Sequence, residues 1–175
     1  MRAIEGVSLD NVTAAYGGAQ ADLYTLMFGE LLHVGGMAAS LDLADRAGIG
    51  AGMRGVDLCC GLGSAMRLLV RLRGVGAMAG VDVTPRNVER GQQRCREQGL
   101  EGQARLVLAD ATDTGLPSAE ADFVWGEDAW CYVADKARLV AEAARLAAPA
   151  ASSPSPIGSR DRSSWATLTR SAFCT

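Results

Sequence analysis

Three aspartates each stand where a short apolar run gives way to a loop: Asp57 in VDLCCGLGSA, Asp82 in GVDVTP and Asp110 in LVLADATDTGLP. The first segment, Val56 to Ala65, has an acidic residue inside a strand-like run, then glycine, spacer, glycine and a helix-forming stretch. Gly61 and Gly63 let the backbone turn sharply and approach a ligand, and a helix starting at Ser64 offers free N–H groups. A dinucleotide loop carries a third glycine three positions after the second; here that place is Met66. Asp57 is also unhelpful to a pyrophosphate but suits a ligand with an ammonium group. Asp82 follows Asp57 by 25 residues. A carboxylate at that strand end accepts both hydroxyls of a ribose or caps the helix opened by Pro85, a task equally open to Thr84. Asp110 reads as a turn aspartate or as an acceptor for an adenine amino group, with the N–H of Ala111 donating to the ring.

These residues need strands to hold them. Runs at Val56–Cys59, Ala77–Val83, Ala104–Ala109 and Asp122–Trp125 have strand character, and helices are expected over Ser64–Leu72, Pro85 to about Gln98, and Asp135–Ala147. Alternation of strand and helix means βαβ units and a parallel sheet covered on both faces. All three aspartates then lie on the strand-end edge where such sheets bind ligands. Residues 8–48 read as helical, with turns at Gly17-Gly18 and Gly35-Gly36, Asp22 capping one helix and Met37–Ala47 forming another.

The order VDLCCGLG, GVDV, LADATDTGLP and FVWGEDAW resembles the class I S-adenosylmethionine-dependent methyltransferases, over roughly residues 8–148. YGG at Tyr16–Gly18 and FGELLHVGG at Phe28–Gly36 are similar to the N-terminal segment of sarcosine/dimethylglycine and related amine methyltransferases. The resemblance implies an α/β, Rossmann-like parallel sheet with flanking helices and a helical N-terminal lead-in. It implies S-adenosylmethionine as cofactor, S-adenosylhomocysteine as product and a small-molecule methyl acceptor, an amine nitrogen in the first instance. Asp57, Gly61 and Gly63 would line the methionine end, Asp82 the ribose, Asp110 and Ala111 the adenine. Cys59, Val83 and Glu127 join the cofactor contacts. Tyr16 would lie over the cofactor or simply pack; His33, the sole histidine, would face the acceptor pocket or be structural. Asp128 and Trp130 would lie towards the acceptor, with Trp130 and Tyr132 forming an aromatic wall for an ammonium. No covalent residue or metal is required, and no general base can be named. A protein that binds the cofactor without transferring its methyl is the alternative; a nicotinamide oxidoreductase fits the fold but not Met66 and Asp57.

Composition narrows the field. With 175 residues, 49% hydrophobic and net charge −3, the chain suits one soluble domain and lacks a basic field for nucleic acid or an anionic membrane. Arg67, Arg71 and Arg73 read as the solvated face of a helix. No apolar run is long enough to span a membrane and no secretory signal opens the chain. Five cysteines, two of them adjacent and none in a C-x-x-C pair, point to reduced thiols and a cytoplasmic setting, with Cys59 and Cys60 as packing groups.

Three segments are expected: a lead-in at 1–50, a cofactor-binding core at 51–148, and a tail at 149–175 that is disordered or non-native. The tail is rich in Ser and Pro and shows neither strand nor helix periodicity. The sheet is therefore expected to be incomplete at its C-terminal strands, leaving apolar surface that favours a homodimer. Codons can be chosen for Pro149–Gly158 that, read from the third base, spell GGVIAFTDW, a glycine turn and an apolar strand, a reading consistent with the sequence. A frameshift near codon 149 is the expectation.

Overall fold

The computed structural model describes residues 8–28, 33, 35–149 and 168–170. The lead-in is helical as its periodicity predicts: α1 (Leu9–Gly17), α2 (Ala19–Phe28) and α3 (Gly36–Ala47). Ser8 caps α1 reciprocally, its hydroxyl accepting from the Asn11 N–H while Asn11 Oδ1 accepts from the Ser8 N–H. Gly48, in the left-handed region at φ 68°, ends α3. Asp22 does not cap α2. It lies in the first turn, and its carboxylate instead holds Arg86 and Arg90 at 2.7–2.9 Å. Arg86 also donates to the Gly17 and Gly18 carbonyls. A charge pair to a later helix thus replaces the local cap expected from sequence.

The core alternates as expected: β1 (Arg54–Leu58), α4 (Ser64–Arg73), β2 (Ala77–Asp82), α5 (Pro85–Glu97), β3 (Ala104–Leu108), β4 (Phe123–Glu127) and α6 (Lys136–Leu146). All strand pairs are parallel, in the order β3-β2-β1-β4, with a fifth strand, β5 (Leu168–Arg170), beside β4. The tail, expected to carry no strand, thus contributes three residues of backbone pairing, Trp125–Glu127 against Leu168–Arg170. The rest of that tail lies outside the described residues.

The period-two alternation of buried strands divides the interior. On one face Met78, Leu106, Phe123 and Trp125 pack with Leu43, Leu69 and Val88 of α3, α4 and α5. On the other, Val56, Leu58, Val81 and Val124 pack with Leu139, Ala143 and Leu146 of α6. Asp57, between Val56 and Leu58, therefore faces the α3–α5 side, opposite Trp125 in register. Close approach on this face needs glycine: a Cβ on Gly80 would collide with Met66 Sδ and Cys60 Sγ, and one on Gly91 with Leu106. Met66, in the place of a third loop glycine, is completely buried. Arg67 departs from the reading as a solvated face. It is 3% exposed, and donates to the Leu62 carbonyl at 2.5 Å and to Ser64 Oγ. Arg71 is exposed as expected, and Arg73 pairs with Asp45 of α3. No helix among the described residues is long and apolar enough to cross a membrane.

Candidate functional site

The C-terminal ends of β1, β2, β3 and β4 open into one cavity of about 430 Å³, roofed by α1 and α2. Each predicted aspartate lines it: Asp57 from β1, Asp82 from β2 and Asp110 after β3. Tyr16, Cys59, Gly61, Val83, Ala111, Glu127, His33 and Asp128 line it too. Of the predicted residues, Gly63 and Trp130 do not. Gly63 sits behind the loop at φ 71°, capping α4 in the left-handed conformation, so it shapes the turn rather than the wall. Trp130 is 3% exposed and its indole N–H donates to the Leu58 carbonyl at 3.1 Å. Its ring fills the notch left by Gly126, where any Cβ would strike the indole. The aromatic wall is made instead by Tyr132 and Tyr16, whose rings meet edge-on with centroids 6.3 Å apart. Burial, then the neighbouring Tyr132, pushes the Tyr16 hydroxyl well above the usual phenol range.

The carboxylates are held differently. Asp57 is 3% exposed and makes no hydrogen bond among the described residues. Burial first, then the charges of Glu127 and Asp82, drives its pKa well above the usual carboxylate range. Asp82 is anchored. Its Oδ1 accepts from the Thr84 N–H and Asn87 Nδ2, its Oδ2 from the Gly61 N–H at 2.9 Å. Burial raises its pKa and these donors oppose the rise. Its Oδ2, on the cavity side of the anchored carboxylate, is the oxygen with fewer donors. Asp82 thus braces the start of α5, where Thr84 is the N-cap, and the glycine loop. Asp110 Oδ1 closes a turn by accepting from Thr112 N–H and Oγ1, and the residue lines the cavity. A Cβ on Gly61, at φ 55°, would meet nothing within 4 Å, so the loop backbone borders open space.

At the end of β4, Glu127 Oε2 accepts from Ser40 Oγ at 2.9 Å and from Trp125 Nε1 at 3.3 Å. His33 Nε2 lies 2.9 Å from Ser40 Oγ and 3.5 Å from Glu127 Oε2. Glu127 Oε1 is buried without a hydrogen-bond partner. Burial raises the Glu127 pKa, and His33 is the chief opposing influence. Ser40 escaped the sequence reading. Its signal is a hydroxyl within the apolar stripe of α3, between Ala39 and Leu43–Ala44, where burial demands a partner. Cys59 and Cys60 are kept as neutral thiols, burial pushing both far up, which suits packing and not nucleophilic attack. Cys59 at φ 64° and Asp128 at φ 52° are both left-handed, at the ends of β1 and β4.

Residues 56–152 match the family model described as "Methyltransferase domain", more than half of the chain. The protein belongs to the methyltransferase domain family. Among curated proteins, a chloroplastic protein of Oryza sativa subsp. japonica named as a probable tocopherol O-methyltransferase is 34% identical over 85 residues, 49% of this chain and 23% of its own length. A candidate sarcosine dimethylglycine methyltransferase structure from Galdieria sulphuraria superposes with TM-score 0.69 at 23% identity, covering 74% of this chain and 54% of that one. The geranyl diphosphate C-methyltransferase of Streptomyces coelicolor A3(2), solved with Mg2+, geranyl diphosphate and S-adenosyl-L-homocysteine, gives 0.59 at 25% identity, covering 63% and 41%. The chain thus spans a quarter to about half the length of these proteins.

Proposed function

We propose that the cavity binds S-adenosylmethionine and that the chain serves methyl transfer to a small-molecule acceptor, an amine nitrogen being the first choice. The carrying observation is Asp57, a carboxylate only 3% exposed on the cavity wall, beside an open glycine loop. Unpaired buried carboxylates are costly, and a cationic ligand relieves that cost. The fit extends along the strand ends: Asp57 suits the ammonium, Asp82 Oδ2 a ribose hydroxyl, and Asp110 with Ala111 the adenine. Tyr16 and Tyr132 would cover the ligand from the lead-in side. Met66 stands where a dinucleotide loop carries the glycine needed for close helix–strand packing, which disfavours a nicotinamide cofactor.

When bound, the sulfonium supplies an activated methyl: an acceptor lone pair forms the new bond to carbon as the C–S bond breaks, its electron pair staying on sulfur. The chain's own part is alignment and exclusion of water, which supply several kcal/mol. The amine choice rests on the lead-in motif and the similar Galdieria fold. The rice and Streptomyces relatives, named for a tocopherol and for geranyl diphosphate, fix only the broader class, a small molecule. A cofactor-binding protein without transfer is the second reading.

Calorimetric titration with S-adenosylhomocysteine tests the binding half. One equivalent should bind, and Asp82→Ala should weaken it about 10- to 100-fold by removing the ribose contact and loosening the glycine loop. A folded chain that shows no binding heat overturns the assignment.

A further inference from the structure

We propose that Glu127, positioned by Ser40 and His33, is the proton acceptor of this site and takes up the proton that the methyl acceptor sheds. This rests on the cofactor assignment above. The geometry carries the argument. Ser40 is fully buried and owns a single hydroxyl proton, which it gives to Glu127 Oε2. Its oxygen is then left to accept, so the 2.9 Å contact to His33 Nε2 requires the imidazole to donate. The result is a directed chain from His33 Nε2–H through Ser40 to Glu127 Oε2. Trp125 Nε1–H adds a second donor to the same oxygen. These donors all converge on Oε2, and the other oxygen, Oε1, stays buried, without a partner, on a residue that lines the cavity. That division of labour orients one oxygen and reserves the other.

The chemistry follows. An amine or hydroxyl that attacks the methyl carbon must shed a proton, and Oε1 is the vacant basic atom on the wall. In the balanced step the acceptor's O–H or N–H bond breaks, its electron pair stays on the heteroatom, and the proton becomes the O–H of Glu127. The carboxyl is discharged to water after product leaves. Burial strengthens Glu127 as a base by raising its proton affinity. The titratable groups around it are His33 from the lead-in, Asp57 from β1 and Asp128 after β4, with Asp82 next to Asp57. Only His33 among them is basic, so the wall holds more negative than positive charge.

This makes the site's proton content depend on the cofactor's charge. A sulfonium nearby favours ionised Glu127; the neutral thioether product leaves the carboxylate cluster free to keep a proton. The test is therefore independent of the acceptor. S-adenosylmethionine and S-adenosylhomocysteine are titrated into the full chain in buffers of different ionisation enthalpy, across the neutral range, to count protons bound with each. The thioether complex should hold more, by on the order of half a proton, and Glu127→Gln should erase the difference at ligand concentrations that saturate the variant. Equal proton counts for the two ligands in the wild-type chain overturn the proposal, whatever the variant does. A difference that survives Glu127→Gln overturns it too, and assigns the proton to Asp57. Failure of both ligands to bind is a separate result, which defeats the cofactor assignment itself.

Discussion

Asp128 and Cys59 adopt left-handed backbone conformations, φ 52° and 64°, immediately beyond the strands that carry Glu127 and Asp57. Neither is glycine, so each holds strain of about 1 kcal/mol or more, at the two points where the cavity wall turns. Asp128→Gly should relieve the strain and raise the midpoint of thermal unfolding by about 2–4 °C. Asp128→Asn separates the causes, since it removes the charge near Glu127 while keeping a residue that tolerates the same backbone; it should recover little of the gain. Equal stabilisation by both variants would show that charge repulsion, not backbone strain, is what Asp128 contributes. At this scale the sequence was legible wherever a residue type had one use. Aspartates at strand ends and glycines after a strand announced the cavity. Trp130 and Arg67 misled because large amphipathic side chains serve core and surface equally, and only tertiary placement decides. Ser40 was silent because its partners, His33 and Glu127, are remote or masked by loop sequence; a single buried hydroxyl carries no address.

The elements were legible to within a residue or two, since period-two and helical runs are sharply bounded by Gly and Pro here. What sequence left open was how long connections are tied down. The segment from β3 to β4 has no helix of its own, and a side-chain cluster fastens it. Thr114 N–H and Oγ1 donate to Glu142 Oε1 at 2.8 and 2.5 Å, while Arg145 grips both oxygens of Glu142 and reaches the Leu116 carbonyl and Ser118. Arg145, then Thr114, holds the Glu142 pKa down to about 2. A folded pKa below the ordinary value of 4.5 means that the contribution is complete above that value and disappears as pH falls towards about 2. Glu142→Gln should cost about 2 kcal/mol at neutral pH, discounted because Arg145 is partly exposed. The wild-type chain should then lose its advantage over the variant as acid is added, with the two urea-unfolding curves converging near the lower limit. Curves that stay parallel across that window would remove Glu142 from the ledger of acid-sensitive groups. The Asp22–Arg86–Arg90 cluster performs the same fastening for the lead-in, but from exposed positions, so it is expected to matter less to stability than to how α1 and α2 seat over the cavity.

For the whole molecule, the parallel sheet grows outward from β1 in both directions. On one side lie β2 and β3, each paired over five registers; on the other, β4 pairs with the described residues of β5 at Trp125–Glu127. Glu127 belongs to that pairing, so the β4–β5 ladder backs the wall on which the proposed chemistry depends. Connections in such folds usually take two to six residues. The alternative reading frame places its glycine turn and apolar strand, GGVIAFTDW, directly after Pro149, at the spacing this architecture favours. The prediction is that the encoding DNA from codon 149 supports that frame; codons that cannot spell it dispose of the idea at once. A chain carrying the alternative segment should pair along the full length of β4 and unfold at higher temperature than the 175-residue chain in parallel melts. It should also bind S-adenosylhomocysteine more tightly, because a longer ladder fixes Glu127 and the loop after it. Equal melting temperatures with equal affinities would mean that three residues of pairing already suffice, and that the strand beyond β4 serves the acceptor side of the site rather than the cofactor side.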